Sequence, residues 1–411
     1  MLAAALTLTL GLFAAQGPER VVDIRVQGNT LTAEADIVRM AGVEPGTEIT
    51  PQTVEAVEAR VRAGGRFERV EVLKRFASIA DPTQIVLIIL VDEGRITVER
   101  QDGQPPRAVR RRFPPIMWLP LLGSEEGYGF TYGALATVTS PFGPGTRISF
   151  PVTWGGERRA GVELEKRATT GRVTRLRGAA SVVSRHNPAY ERNELWQQAW
   201  IRGDREIVRA LRAGAWTGID FVTFANRDDR IFRTGLDVTL DTRVDPMLSR
   251  QAVYVRTSVE RLGMREGDSP LRTLVDAQAY VGGPWSTTIV VRAYRNGANR
   301  PLPPYMKVLL GRDSTLRGFP PGIEAGDTTA AGTIEVRWPI TSPLRLGKLG
   351  LRAFVDAATV YDADERMADQ QFGRSVGGGV WFYLTVIRLA FDVAHGSIGT
   401  TRAQVSTGLL F

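Results

Sequence analysis

Two histidines, His186 and His395, and no cysteine are all the soft or near-neutral chemistry that 411 residues contain. Without a thiol there is no disulfide framework, thiolate metal site, iron–sulfur centre or cysteine nucleophile. Neither histidine sits in an HExxH, and no GxxxxGKS/T loop occurs to cradle a nucleotide phosphate. Asp392 and His395 come nearest to a hydrolytic pair, and their odd spacing puts them on opposite faces of a strand or on adjacent pleats. The chain therefore reads as a non-enzyme that needs no cofactor. What remains is ionic: 52 Lys and Arg against 44 Asp and Glu, a net of +8. Residues 18–99 carry a net of −4, which leaves +12 on residues 100–411 and suggests two domains. The arginines are dispersed through strand-like segments, with no basic helix or aromatic-flanked patch, so nucleic acid is not an expected partner.

Such groups act only where a scaffold holds them. Residues 1–15 form an apolar run that ends in small residues before Gln16 and Gly17, a signal-peptide pattern over 1–17 that implies export. Beyond it the longest apolar run is 85–91, far short of the ~20 residues that a spanning helix needs. A spanning strand needs only about 9–11 tilted residues of alternating polarity, so a barrel stays open.

Residues 18–99 read as a small α/β domain. Val21 to Val26 alternates and stops at Gly28-Asn29, a strand and its turn. Thr32 precedes a helical stretch with Ile37 and Met40 three apart, closed by Gly42. Pro51 sits near the start of a second helix, where Val54, Val57 and Val61 recur at helical spacing before Gly64-Gly65. Residues 67–76 and 84–91 complete the unit as strands, the latter β-branched, central and buried on both sides. The order β-α-α-β-β, with Gly28-Asn29 after the first strand and Gly65-Arg66-Phe67-Glu68-Arg69-Val70 before the second, resembles a POTRA domain. In that family the second strand lies at a sheet edge and is thought to receive extended peptides by strand addition. The resemblance makes Phe67, Val70 and Val72 the client-docking edge; packing of this edge on the linker or barrel is the competing reading.

Residues 100–115 carry Pro105, Pro106, Pro114 and Pro115 among Arg107, Arg110, Arg111 and Arg112, which excludes a helix or central strand and marks a basic connector. From 116 to 411 alternating segments of about ten residues are separated by Gly, Pro, Asn and Asp. This predicts a transmembrane antiparallel barrel, with 16 strands if 208–224 is one strand. In the last segment Ala403, Val405, Thr407, Leu409 and Phe411 share one face and Arg402, Gln404, Ser406 and Gly408 the other, as lipid outside and water inside require. Trp154, Trp338 and Tyr361 near strand ends suit interfacial belts. No strand is read between 294 and 333, a stretch too long for an ordinary hairpin loop and therefore functional.

That stretch contains Leu316-Arg317-Gly318-Phe319. Gly332-Thr333-Ile334-Glu335-Val336-Arg337 and Phe354-Val355-Asp356-Ala357-Ala358 follow it, and the chain ends on Phe411. The ordered set resembles the V/I-R-G-F/Y, G-x-x-E-x-R and F-x-D-x-G motifs of the Omp85 superfamily, of the BamA/TamA-like (surface antigen D15) kind, with Ala358 in place of the last glycine. The resemblance implies that the Arg317 loop folds back into the barrel lumen and that Val405, Leu409 and Phe411 belong to a C-terminal sorting signal. By parity Glu335, Arg337 and Asp356 face inward, and a lumen guanidinium at 317 is expected to pair with Asp356 or Glu335. The family further implies the outer membrane of a diderm bacterium, with the POTRA domain in the periplasm. Expected partners are the outer-membrane lipid bilayer, unfolded outer-membrane or secreted clients, and periplasmic chaperones or accessory lipoproteins. The implied function is assembly, insertion or translocation of proteins; the alternative is a dedicated secretion or lipid-export pore.

Overall fold

The computed structural model describes residues 18–409 except 30, 78–80, 82, 94–95, 100–106, 111–115, 144, 169–170, 244–247, 266, 312–314, 342–346 and 385–386. The expected signal peptide and Phe411 lie outside the described residues, as does the Leu409 side chain.

The N-terminal domain is a three-stranded sheet of β1 (Arg20–Gln27), β2 (Arg69–Phe76) and β3 (Gln84–Asp92), with α1 (Glu34–Ala41) and α2 (Pro51–Ala63) between the first two strands. The sheet order is β1-β3-β2, β1 parallel and β2 antiparallel to β3. Helix α2 starts where the sequence instructs it: Thr50 and Thr53 form a reciprocal capping box and Pro51 opens the first turn. Its apolar stripe of Val54, Val57 and Val61 packs with Ile37, Val72, Leu87 and Ile89 into a closed core. Gly28 has φ +87°, and a Cβ there would stand 2.0 Å from Val91 O, so only glycine lets β1 turn this close to β3. Strand β3 is central, but only Ile85, Leu87, Ile89 and Val91 are fully buried; their neighbours are half-buried, because both helices cover one face of the sheet. Strand β2 is an edge.

Beyond this domain β4 (Ile96–Glu99) and β5 (Arg107–Arg110) pair as an antiparallel ribbon where a plain connector was expected. The prolines flank β5 and leave its ladder intact.

Sixteen strands close a barrel. In chain order they begin with β6 (Ile116–Glu125), β7 (Gly129–Thr139), β8 (Thr146–Gly155), β9 (Glu157–Arg167), β10 (Arg175–Asn187), β11 (Arg192–Val208), β12 (Leu211–Phe224) and β13 (Arg227–Asp241). Next come β14 (Gln251–Met264), β15 (Leu271–Gly282) and β16 (Thr288–Ala298). A short pair, β17 (Val308–Leu309) and β18 (Ala325–Gly326), lies outside the wall. The wall resumes with β19 (Thr328–Thr341), β20 (Gly347–Tyr361), β21 (Gly373–Leu384), β22 (Ile387–Gly396) and β23 (Thr401–Leu409). Residues 211–224 are one strand, which sets the number at 16. Strand β11 continues to Val208, its Asp204 turned inward onto Arg177 and Arg202. Strand β19 begins at Thr328 rather than 333, its small residues Ala330 and Ala331 supplying no alternation to read.

Alternation sorts the wall. On β13, Phe232, Leu236 and Val238 are exposed on the outer surface, whereas Ile231, Asp237 and Thr239 are buried. Trp154 and Trp338 are exposed near strand ends, but Tyr361 is buried, so it belongs to the interior and not to an interfacial belt. Inside, carboxylates face arginines: Asp220 with Arg233, Glu260 with Arg272, Asp276 with Arg292. Between such pairs a cavity of about 440 Å³ is lined by Trp200, Arg202, Trp216, Arg256 and Glu260.

Candidate functional site: the lumen loop and the barrel seam

Residues 299–327 leave β16 and return to β19 after crossing between two stretches of the wall. At the first, Tyr305 seats in a cluster with Trp196, Phe224 and Ile231 and donates Oη to Asp229 Oδ2 at 2.6 Å. Its ring meets Trp196 edge-on at 5.4 Å. Burial and then the Asp229 carboxylate push the Tyr305 hydroxyl above the ordinary tyrosine range.

At the second stands Arg317. Its Nε and Nη2 donate to Asp356 Oδ2 and Oδ1, each at 2.8 Å, a bidentate pair, and Nη1 donates to Glu335 Oε2 at 3.0 Å. The Arg317 backbone N–H also reaches Asp356 Oδ2 at 3.3 Å, and its guanidinium lies 3.2 Å from the centre of the Phe354 ring. Both carboxylates are reached because Glu335 pairs in register with Phe354 and Thr333 with Asp356, which puts all four on the inner face of neighbouring strands. Glu335 also accepts from Arg337 Nε at 2.6 Å, Asp356 from Thr333 Oγ1 at 2.9 Å, and Asp392 from Arg352 Nε at 2.7 Å. Three arginines thus face three carboxylates, with Asp392 3.8 Å from Arg317. Arg317 is 6% exposed. Burial alone would lower its pKa; the bonds and charge of Asp356, with Glu335 and Asp392, reverse the sign and hold it protonated.

The rest of the motif fills space. Leu316 and Phe319 are buried with Leu310, Ala358 and Val360. The methyl of Ala358, where the motif has glycine, is part of that cluster. Gly318 has φ +83°, and a Cβ there would meet Ala394 and Gly396 at 3.1 Å.

Arg317, Glu335, Arg337 and Asp356, singled out in the sequence, come together. Asp392, Thr333, Phe354 and Tyr305 were not singled out as site residues; the inward parity of Asp392 on β22, and of Thr333 and Phe354 within their motif stretches, were the readable signs, and Tyr305 had none. His395 is exposed and bonds Thr401 Oγ1 at 2.8 Å, on the opposite face from Asp392. On β2 the side chains of Val70 and Val72 enter the core, with Phe67 packed against it, so the edge offers main chain and not apolar pockets.

The barrel closes where β23 meets β6. Strand β23 pairs with β22 over nine register positions, but with β6, among the described residues, only at Thr407 and Ser124. Gln404 Nε2 and Thr407 Oγ1 on β23 are buried without a hydrogen-bond partner among the described residues. Among the wall joints with a described register, the ladder that completes the cylinder is the weakest.

An Omp85 superfamily domain model matches residues 131–409. The chain belongs to the Omp85 superfamily. A surface antigen variable number repeat model, the POTRA domain, matches residues 19–94. Among solved structures, BamA from Haemophilus ducreyi lacking POTRA domains 1–3 aligns at 14% identity over 96% of this chain and 85% of its own, with a TM-score of 0.62. CdiB from Acinetobacter baumannii aligns at 13% identity over 97% and 91%, with a TM-score of 0.51. CdiB from Escherichia coli aligns at 11% over 97% and 92%, with a TM-score of 0.52. Identities this low carry the fold. No curated protein sequence matches the chain. As an Omp85 protein it is an outer-membrane barrel of the transport and insertion class, one POTRA domain preceding 16 strands.

Proposed function

We propose that this Omp85 protein assembles other proteins into the outer membrane, with the β23–β6 seam as the template. The single register pair among the described residues of that seam carries the reading: strands that hardly pair with each other keep backbone groups for a client strand. The POTRA domain stands in the periplasm, where the edge of β2 takes an extended client by main-chain pairing, a mode tolerant of sequence because the Val70 and Val72 side chains point away into the core. Accessory lipoproteins and periplasmic chaperones are the partners that would deliver such clients. The energy comes from client folding.

A photo-crosslinking side chain in place of Val405, exposed on the outer face of β23, tests this in cells. Adducts with several newly made barrel proteins, absent when the same probe replaces Leu236 on β13, are expected. A single secreted protein or lipid trapped at both positions would instead mark a dedicated export pore.

A further inference from the structure

Between Gly318 and Gly322 the lumen loop passes from one edge of the seam to the other. On the β23 side, Thr400, in the turn between β22 and β23, donates Oγ1 to Gly318 O at 2.6 Å. The Phe319 ring lies over the same hairpin: a Cβ at Gly396 would stand 2.8 Å from it. On the β6 side, Pro321 lies against Gly127 in the turn between β6 and β7, where a Cβ would stand 2.9 Å from Pro321 Cβ. Directly across the seam Arg402 Nη2 donates to Glu126 Oε1 at 3.0 Å.

From this geometry we infer that residues 318–322 are a clasp that holds the seam shut. The inference rests on the seam reading above. A joint with one ladder pair among its described residues stays closed only if something else spans it, and this segment does so stiffly, because Pro320 and Pro321 fix two successive φ angles. The two ends of the clasp are unequal. Toward β23 it is held by the Thr400 hydrogen bond and, one residue upstream, by the buried Arg317 pairs; toward β6 it is held by packing of Pro321 on Gly127, beside a partly exposed ion pair. The β6 end therefore lets go first, and the loop stays on β22 and β23 while the seam opens.

Amide hydrogen exchange of the full chain in lipid vesicles tests the clasp without reading client assembly. Pro321→Gly with Thr400→Val leaves Arg317 and its carboxylates in place; exchange in β6 and β23 should rise about tenfold, with β12 and β13 unchanged. Coupling is reciprocal, so a seam locked by a disulfide should protect the loop. The chain has no cysteine of its own, and Ser124→Cys with Thr407→Cys joins the one register pair. Oxidation of this variant should slow exchange over 318–326 about tenfold against its reduced form, a comparison that needs no folding of the first variant. Unchanged seam exchange in the folded first variant, or equal loop exchange in the oxidised and reduced second one, overturns the clasp. A clasp that passes in a protein that traps no barrel clients would overturn the proposed function alone.

Discussion

Without the Arg317 guanidinium, Asp356 and Glu335 would be left buried at 2% and 5% exposure, with Thr333 and Arg337 as their remaining close partners. Breaking a buried pair from one side costs about 3–5 kcal/mol, and the loop can avoid most of that cost by leaving the wall so that water reaches the carboxylates. Arg317→Ala is therefore expected to expose residues 299–327 to trypsin while the barrel stays folded; loop cleavage as slow as in the parent chain would contradict the pairing. Arg317→Lys should behave nearly as badly, since an ammonium cannot make the bidentate bond to Asp356 and a third bond to Glu335 together. Ala358→Gly, which restores the family glycine, removes a methyl from the Leu316 cluster and loosens a strand. A loss of about 1 kcal/mol in denaturant unfolding in vesicles is expected.

Elements make room for that chemistry by what they leave out. A Cβ at Gly373 on β21 would stand 3.0 Å from Leu316 Cδ2 and from the Phe319 ring, so β21 and the β22 hairpin hold the motif with backbone. Gly373→Leu should evict Phe319 and expose the loop to protease, and adding Phe319→Ala should restore much of the protection, a coupling of about 1–3 kcal/mol. Additive damage in the double variant would mean that the two residues do not share the space. The same elements show why part of this was legible. Parity along β19 and β20 needs only a count of two, and it put Glu335 and Asp356 on the inner face correctly. The β3 run of β-branched residues announced a central strand, yet could not tell that one sheet face lacks a helix. The Thr328 to Ala331 start of β19 was illegible because small residues carry no polarity to alternate, and the Tyr305 anchor because its partners Trp196, Phe224 and Asp229 are 76 to 109 positions away. Tyr361 misled: an aromatic at a strand end satisfies an interfacial pattern and an interior one equally.

At the scale of the molecule the barrel wall has one organising asymmetry. Twelve other wall joints have a described register, each of nine or more positions, against one at the seam, and the loop that the Arg317 cluster pins lies across the seam. The ion pair beside it is a rim contact: Arg402→Gln alone should change stability by less than about 1 kcal/mol, and its effect should fade in high salt. An edge strand on the POTRA domain and a weak seam in the barrel are two places where unpaired backbone can be offered, which is what an assembly factor needs and a simple pore does not. Conditional depletion in the native host, followed by quantitative outer-membrane proteomics, puts this to the most direct test. The account predicts that several other barrel proteins fall together before growth slows; barrel levels that hold steady while one secreted protein or lipid accumulates inside would contradict it.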